Sequence, residues 1–377
     1  MLQCRPLWPR LQCHPLWPRL LQCRPLWPRR HIMDLASVVS RLDVLAPPAL
    51  AESWDNVGLL VEPSPPHQVR KMLLTNDLTE DVLQEALAVG ADLLLSYHPP
   101  IFKALKRLTC AHWKERLVVT ALEKRLAVYS PHTACDAITN GVNDWLGRAL
   151  GACVSVPLRA STATSHPRGY GHILEFGGEV PESVLSRVSS LQGASVRTYP
   201  LRGEEGVRVR LSCSNSALQQ ALAILSEDPE TYSGAELLTL QKPPLLDTGM
   251  GRLCTLSEPI TIAAAVERIK SHVGVKHLRL ALGRGKTLES PVSVMAVCAG
   301  SGASILNGVP ADLYLTGEMS HHEVLDAAAE GRSVILCEHS NSERGYLREL
   351  AAQITQRLEG KVEVLVSQTD RDPLQVV

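Results

Sequence analysis

Three histidines follow short apolar runs that lie far apart in the chain. The segments are LLLSYHPP (93–100), LAVYSPHTACD (126–136) and SVILCEHSNSE (333–343). The histidines are His98, His132 and His339. Asp136 and Glu343 each follow one of them by four residues, which places both side chains on one face of a helical turn. Imidazole and carboxylate together suit a divalent ion such as zinc, iron or manganese, so the five residues form a candidate metal site.

A structural role, as a hydrogen-bonded side chain or a strand cap, is the simpler interpretation of any one of these histidines. Five ligand-type residues at three comparable strand ends are harder to explain in that way, because open α/β sheets bind ligands beyond the carboxyl ends of their strands. Two carboxylates could also bridge two ions about 3.5–4 Å apart, an arrangement that activates water for hydrolysis. The pattern thus favours a metal-dependent hydrolase with up to two ions per subunit.

Other polar residues lie near the same strand ends. Asp77 ends another apolar run and could fix an imidazole tautomer, although a helix N-cap explains it equally well. Of His321 and His322, one is expected near the site and the other in solvent. The run AGSG (299–302) is consistent with half of a phosphate loop or with a tight turn.

The elements that must position these residues follow from hydrophobic patterning. Apolar runs alternate with amphipathic segments from Asp34 onward, which predicts a mostly parallel sheet with flanking helices. Strands are predicted at 71–77, 91–98, 126–130, 292–300, 311–317, 333–337 and 362–367. Helices are predicted at 80–90, 114–125, 140–151, 260–274, 321–331 and 342–358.

A different pattern interrupts this alternation. Residues 155–167 are rich in Pro, Ser and Thr and are predicted to be a linker. The following residues have the order β-α-β-β-α-β, which predicts a ferredoxin-like unit. The fold class is therefore α/β in two halves, interrupted by an inserted α+β domain. The predicted division is a repeat (1–32), a first half (33–155), the insert (156–245) and a second half (246–377).

Composition limits the possible functions. The chain has 377 residues, a net charge of −1 and 4% aromatic residues, so neither a basic field nor stacking platforms indicate direct binding to nucleic acid. No apolar stretch is long enough for a membrane span. Ten cysteines without a CxxC pair favour a reducing compartment such as the cytoplasm. Cys135 and Cys337 lie beside the candidate ligands, where packing is their simpler role.

Residues 2–29 repeat the nonapeptide LQC(R/H)PLWPR three times. Six prolines in this segment prevent a continuous helix, so disorder is predicted. The segment is Arg-rich and lacks acidic residues, as mitochondrial presequences do, but presequences act as amphipathic helices, and a mitochondrial location is therefore disfavoured. Met33 is a candidate start of the folded protein.

Several long motifs, in this order, resemble the NIF-three-like family, which is also labelled the GTP cyclohydrolase 1 type 2 family. They are SWDNVGLLV (53–61), LTNDLTEDVL (74–83), ADLLLSYHPPIF (91–102), SPHTACDAITNGVNDWL (130–146), GMGRLCTL (249–256), AGSG (299–302), ADLYLTGEMSHHEVLDAA (311–328), ILCEHSNSERG (335–345) and DRDP (370–373). The resemblance covers about residues 34–155 and 245–377.

The resemblance implies a dinuclear metal site inside a toroidal homo-hexamer. Its ligands fall on the set already named: His98, His132, Asp136, His339 and Glu343. His322 matches a family histidine near that site. Bacterial members usually carry two consecutive histidines where this chain has Tyr97 and His98, so one ion has one imidazole fewer. Eukaryotic members are linked to transcriptional regulation in the cytoplasm and nucleus. A metal-stabilised scaffold that binds regulatory proteins is therefore the alternative to the hydrolase.

Overall fold

The computed structural model describes residues 32–201 and 206–377. The repeat at 2–29, for which disorder is predicted, lies outside the described residues. The strands are β1 (Met33–Asp34), β2 (Gly58–Val61), β3 (Gln68–Val69), β4 (Lys71–Thr75), β5 (Leu93–Ser96), β6 (Ala127–Ser130), β7 (Cys153–Val156), β8 (Arg159–Thr162), β9 (His172–Gly178), β10 (Ala194–Pro200), β11 (Val207–Cys213), β12 (Glu236–Thr239), β13 (Pro244–Met250), β14 (Arg252–Thr261), β15 (Arg279–Ala281), β16 (Pro291–Ser301), β17 (Leu313–Glu318), β18 (Ser333–Leu336) and β19 (Glu363–Val366).

The helices connect these strands. They are α1 (Leu35–Leu45), α2 (Glu80–Ala88), α3 (Trp113–Glu123), α4 (His132–Ala137), α5 (Val142–Gly147), α6 (Glu182–Ser189), α7 (Asn215–Leu225), α8 (Pro229–Ser233), α9 (Ile262–Val273), α10 (Ala303–Leu306), α11 (His321–Ala329) and α12 (Leu347–Arg357). Local chemistry sets several of their starts: the Thr79 side chain accepts from the Val82 amide at α2, and Ser320 and Glu323 form a capping box at α11. No helix of the described segments is long and apolar enough to cross a membrane.

The first sheet has the order β19-β4-β5-β6-β2. The strands β19, β4, β5 and β6 are parallel neighbours, whereas β2 runs antiparallel to β6. All four residues of β5 and of β6 are buried, as expected for strands covered on both faces. One face packs on α2 and α3 through residues such as Leu94, Val82 and Leu117.

The second sheet has the order β15-β18-β17-β16-β14-β7. Its central strands β16, β17 and β18 are parallel, and its outer strands are antiparallel. A shared core joins the two sheets: it contains Leu95 from the first, Leu315 from the second, and apolar residues of α1, α5, α9 and α12. The observed architecture confirms the predicted α/β fold in two halves.

The middle of the chain forms a separate four-stranded antiparallel sheet of order β10-β11-β9-β12. The helices α6 and α7 pack on one face, and this unit has its own core, with Leu174, Val209 and Leu225. Order and connectivity agree with the predicted ferredoxin-like unit. The antiparallel pair of β8 and β13 joins the unit to the rest of the chain.

The linker predicted at 155–167 was wrong for much of its length. The segment enters β7, which forms an edge of the second sheet, and continues into β8. Both strands are short and mostly exposed, and Ser or Thr interrupts each of them, so neither forms the continuous apolar run that revealed the buried strands. The predicted helices at 140–151 and 342–358 are α5 and α12, each joined to a 3-10 turn. The division at 33–155, 156–245 and 246–377 stays a prediction.

Candidate metal centre

The candidate ligands meet because parallel strands of both sheets end at one place. His98 lies two residues beyond β5, and His132 begins α4 just after β6. His339 and Glu343 follow β18 in the second sheet. The ring centroid of His98 lies 5.2 Å from that of His132 and 5.1 Å from that of His339. Residues from three distant segments thus form one cluster between the two sheets.

Glu343 is the centre of this cluster. Its Oε2 lies 3.3 Å from Nε2 of His98, and its Oε1 lies 3.7 Å from Nε2 of His339. Ligand atoms of these three residues all lie within 4.8 Å of one another, which is a geometry that could hold a metal ion. The Glu343 side chain is 4% exposed, so its charge depends on these partners rather than on water.

Each histidine of the cluster has a different carboxylate at its Nδ1 atom. The distances are 2.9 Å from His98 to Asp77, 2.7 Å from His132 to Asp55, and 3.3 Å from His339 to Glu318. A carboxylate at Nδ1 fixes the tautomer that leaves Nε2 free for a ligand, as in many metal sites. Three such pairs around one cavity are what a metal centre requires of its histidines.

Asp77 and Asp55 show what the sequence could and could not indicate. The helix-cap interpretation of Asp77 does not hold, because Thr79 caps α2. Asp55 escaped prediction because it precedes β2 rather than following a strand. Since β2 runs antiparallel to β6, its start lies beside the end of β6, where His132 follows. The motif SWDNVGLLV contains Asp55, but the pairing of β2 with β6 is what brings Asp55 to His132.

His132 and Asp136 line the same cavity. They do not belong to the group formed by His98, His339 and Glu343, whose ligand atoms lie within 4.8 Å of one another. Asp136 accepts a short hydrogen bond from the hydroxyl of Tyr97, which is fully buried. Burial raises the pKa of Asp136 to about 6, and Glu343 raises it as well, against the opposing effects of His132 and the Tyr97 hydroxyl. Tyr97 therefore occupies one carboxylate oxygen that an ion would otherwise contact.

The electrostatics of the cluster favour a cation. Burial lowers the pKa of His98, but the facing carboxylates of Glu343 and Asp77 outweigh it and raise the pKa to about 11. Burial raises the pKa of Glu343, but His98 and His339 reverse the effect and hold it below the usual value. The site thus stabilises a positive charge between His98 and Glu343, where a divalent ion would replace the proton.

Three further observations fit a metal ion. Nε2 of His98 is buried and has no hydrogen-bond partner among the described residues. The donor set of two imidazole nitrogens and a carboxylate is typical of zinc, iron and manganese. Gly300 has a φ of 64°, and a Cβ there would lie 2.8 Å from Oε1 of Glu343 and 3.1 Å from Nε2 of His339. The AGSG segment, at the end of β16, therefore serves a close backbone approach to the cluster.

A cavity of about 650 Å³ opens above the cluster, and all five candidate ligands line it. Its outer lining includes the cations Lys114 and Arg159 and the aromatic residues Trp54 and Phe102. The two aromatic rings lie edge to face, with centroids 6.0 Å apart. The segment 99–114, between β5 and α3, contributes basic residues and no acidic one. Glu52 also lines the cavity and forms a salt bridge with Arg159, so the entrance combines charges of both signs with aromatic surface.

The expectation that His321 or His322 lines the site is not met among the described residues. Both are exposed at the start of α11, and their rings contact each other with centroids 5.5 Å apart. Neither belongs to the cavity lining. Cys135 and Cys337 are buried beside the site, in agreement with a packing role.

Comparisons with known proteins match nearly the whole chain. The profile of the family Duf34/NIF3 (NGG1p interacting factor 3) matches residues 33–373. NIF3-like protein 1 of Rattus norvegicus is 56% identical over 92% of this chain and 94% of its own. NGG1-interacting factor 3 of Saccharomyces cerevisiae is 31% identical over 86% and 90%. The crystal structure of a Bacillus cereus protein related to NIF3 superposes with a TM-score of 0.65 at 23% identity, covering 92% of this chain and 99% of that one, which supports the fold alone.

Proposed function

Because this chain belongs to the Duf34/NIF3 family, and because its two sheets converge on a histidine–carboxylate cluster, we propose that it is a metal-dependent hydrolase acting on a nucleotide or phosphoester. The observation that carries the proposal is the position of Glu343, with one carboxylate oxygen facing His98 and the other facing His339. That arrangement supports one divalent ion. His132 and Asp136, which line the same cavity, would complete a second position, so the capacity is up to two ions of zinc, iron or manganese.

A divalent ion bound here would supply Lewis acidity for the activation of water. The chain's own residues would orient the reactants. Lys114 would attract an anionic substrate at the entrance, where Arg159 is paired with Glu52, while Trp54 and Phe102 offer an aromatic surface for a planar group. A histidine beside the ions would shuttle protons during the reaction.

A scaffold that binds transcriptional regulators is the second candidate. Tyr97 supports it, because its hydroxyl occupies an oxygen of Asp136 and its ring fills the place of a ligand. The name of the yeast relative records an interaction with NGG1. In this alternative the metal stabilises a homo-oligomer, a toroidal hexamer, which acts in the cytoplasm and the nucleus. The hydrolase is favoured because three imidazoles keep their carboxylate partners.

Metal content tests both candidates. Protein without an affinity tag is purified as wild type and as His339→Ala/Glu343→Ala, and metal per subunit is measured by elemental analysis. The control is His277→Ala/Glu289→Ala, an exposed histidine and an exposed carboxylate that lie outside the cavity lining. About two equivalents in wild type and control, and none in the first variant, would support the hydrolase and justify a screen of nucleotides and phosphoesters.

Other results would change the conclusion. A single equivalent that His339→Ala/Glu343→Ala removes would limit the site to one ion, and the scaffold would become the better candidate if no phosphoester is hydrolysed. Absence of metal from the wild type, after reconstitution with zinc, iron and manganese, would contradict the hydrolase. The scaffold in turn requires that the same double variant lose partner binding or assembly.

A further inference from the structure

We infer that Asp370 and Arg344 are positioning residues that hold the metal centre in shape from beneath, so that the C-terminal segment is part of the site. The inference rests on the metal-binding part of the proposed function and not on hydrolysis. Neither residue lines the cavity. Both reach the cluster through Asn76 and Asp77, the two residues that follow β4.

The first connection runs through Asn76. Oδ2 of Asp370 accepts a hydrogen bond of 2.8 Å from the backbone N–H of Asn76. The side-chain Nδ2 of Asn76 in turn donates to Oε2 of Glu343 at 3.2 Å. Asn76 is fully buried, so no water competes for these bonds. Asp370 therefore fixes the backbone of the residue that orients the central carboxylate.

The second connection runs through Arg344. Its guanidinium lies between two carboxylates, with Nε 3.3 Å from Oδ2 of Asp370 and Nη2 3.7 Å from Oδ2 of Asp77. The other oxygen of Asp77 lies 2.9 Å from Nδ1 of His98. Arg344 also follows Glu343 directly in the chain, so its position and that of the ligand are linked through the backbone. The charge of Arg344 thus holds the carboxylate that selects the tautomer of His98.

A separate anchor brings Asp370 to this place. Glu85, on α2, accepts hydrogen bonds from the amides of Gln368 and Thr369 and from the hydroxyls of Ser367 and Thr369. These contacts fasten the segment that follows β19 across the end of the first sheet. The side chain of Asp370 then lies under the site, only 2% exposed. A carboxylate so deeply buried beside Arg344 is costly unless the pair is kept together.

The buried contact of Asp370 with Arg344 depends on the charges of both side chains. Oδ1 of Asp370, and Nε and Nη2 of Arg344, are buried and lack hydrogen bonds among the described residues. The close ion pair is therefore what compensates their loss of water. Neutralising Asp370 would leave the guanidinium facing the charge of Asp77, while its Nη1 keeps the hydrogen bond to Oδ1 of Asn341. We expect it to move toward Asp77 and to draw that carboxylate away from His98.

The experiment measures Co²⁺ binding by the full chain in wild type and Asp370→Asn. Asparagine keeps the shape of the side chain and removes its charge. We expect the dissociation constant for Co²⁺, obtained by competition with a chelator, to rise about 10- to 100-fold, the usual effect of residues that support metal ligands. The visible absorption of bound Co²⁺ should also change, because the ligands shift. Arg344→Gln should act in the same way, and the double variant should show less than the sum of the two effects.

The control is Asp372→Asn in the same segment. Among the described residues, the Asp372 carboxylate accepts a hydrogen bond from the amide of Leu374 alone, so this variant should leave Co²⁺ binding unchanged. Thermal unfolding of the metal-free proteins shows whether Asp370→Asn folds. If it does not, Glu85→Gln loosens the anchor while Asp370 and Arg344 stay intact, and it should weaken binding and alter the spectrum. Wild-type affinity and spectrum in the folded variants would overturn the inference and leave the proposed function standing. Failure of the wild type to bind Co²⁺ would overturn both.

Discussion

Single residues of the metal centre depend on backbone contacts as well as on ligand chemistry. The most demanding is Gly300, whose Cα approaches Glu343 and His339 at a positive φ. Gly308 has a similar φ of 76°, but a Cβ there meets nothing within 4 Å. Alanine at either position would strain the backbone, but only at Gly300 would the added methyl group contact the candidate ligands.

Gly300→Ala should lower metal affinity by on the order of tenfold or more, because the added methyl group displaces the ligands. Gly308→Ala should lose stability, about 1–2 kcal/mol, and keep its affinity. Chelator competition and chemical denaturation of both variants measure the two effects. Equal affinities in the two variants would show that the close approach of Gly300 has no role in the site.

We expect Tyr97 to limit how many ions the proposed site holds. Replacing it by histidine removes the hydroxyl that donates to Asp136 and adds an imidazole at the end of β5. Tyr97→His should therefore raise the metal content per subunit, toward two, in elemental analysis. Tyr97→Phe is the control, since it frees Asp136 without adding a ligand. A wild-type content in Tyr97→His would argue against a second ion at this position.

Metal uptake should release a proton from His98. Its pKa of about 11 in the metal-free site means that the imidazole is protonated at neutral pH and must lose this proton to bind an ion. The apparent affinity should therefore increase as pH rises from 6 toward 9. Calorimetric titration with Zn²⁺ in two buffers of different ionisation enthalpy counts the protons. No difference between the buffers would contradict the protonation of His98.

The five candidate ligands could be found from the sequence because each follows an apolar strand in the chain. Their supporting residues were harder to find. Asp55 precedes a strand, and Asp370 lies near the far end of the chain, so only the tertiary structure brings them to the site. Single-sequence patterns report local periodicity, and these partners are not local.

Among the elements, α4 and α5 need a fixed position, because α4 carries His132 and Asp136. Arg252, at the start of β14, is 1% exposed and provides it. Its guanidinium donates to the carbonyl of Ile138 and to the carboxylate of Asp144. The salt bridge of Arg148 and Glu349 is an exposed counterpart.

Arg252→Met should lower the free energy of unfolding by about 3–5 kcal/mol, because the carbonyls of Gly249 and Ile138 and the carboxylate of Asp144 lose their buried donor. Arg148→Met should lower it by less than about 1 kcal/mol, as for other exposed pairs. Urea denaturation followed by circular dichroism measures both. Similar losses in the two variants would mean that Arg252 does not hold these helices.

The strands divide into those that sequence patterns reveal and those that they do not. The strands β4, β5, β6, β16, β17, β18 and β19 are apolar runs and were predicted near their observed positions. The antiparallel strands β7, β8, β13 and β14 alternate with polar residues or lie at edges, where pairing rather than composition defines them. The sequence therefore predicts the interior of the sheets better than their borders.

At the scale of the molecule, the chain enters and leaves the ferredoxin-like unit at neighbouring positions. The amide of Ala163 donates to the carbonyl of Pro243 at 2.9 Å, and Thr162 pairs with Pro244. The chain therefore leaves and re-enters at the same place. A hairpin turn could replace everything between these residues.

Replacing residues 164–242 by Asn-Gly, which suits a two-residue hairpin, should leave the metal content unchanged. The candidate ligands all lie outside this segment, and the cores of the two sheets do not include it. Elemental analysis and thermal unfolding compare the shortened chain with the full one. A folded but metal-free product would show that the unit takes part in the site.

Each of the two sheets contains an edge strand from the other half of the chain, which has a consequence for biosynthesis. The strand β7 from the first half completes the second sheet, and β19, near the C-terminus, lies beside β4 in the first. A nascent chain emerging from the ribosome can fold the ferredoxin-like unit early, because its contacts are contiguous in sequence. The first sheet must wait for the last strand to be translated. Until then β4 presents an unpaired edge, and termination before β19 would release a chain with that edge exposed.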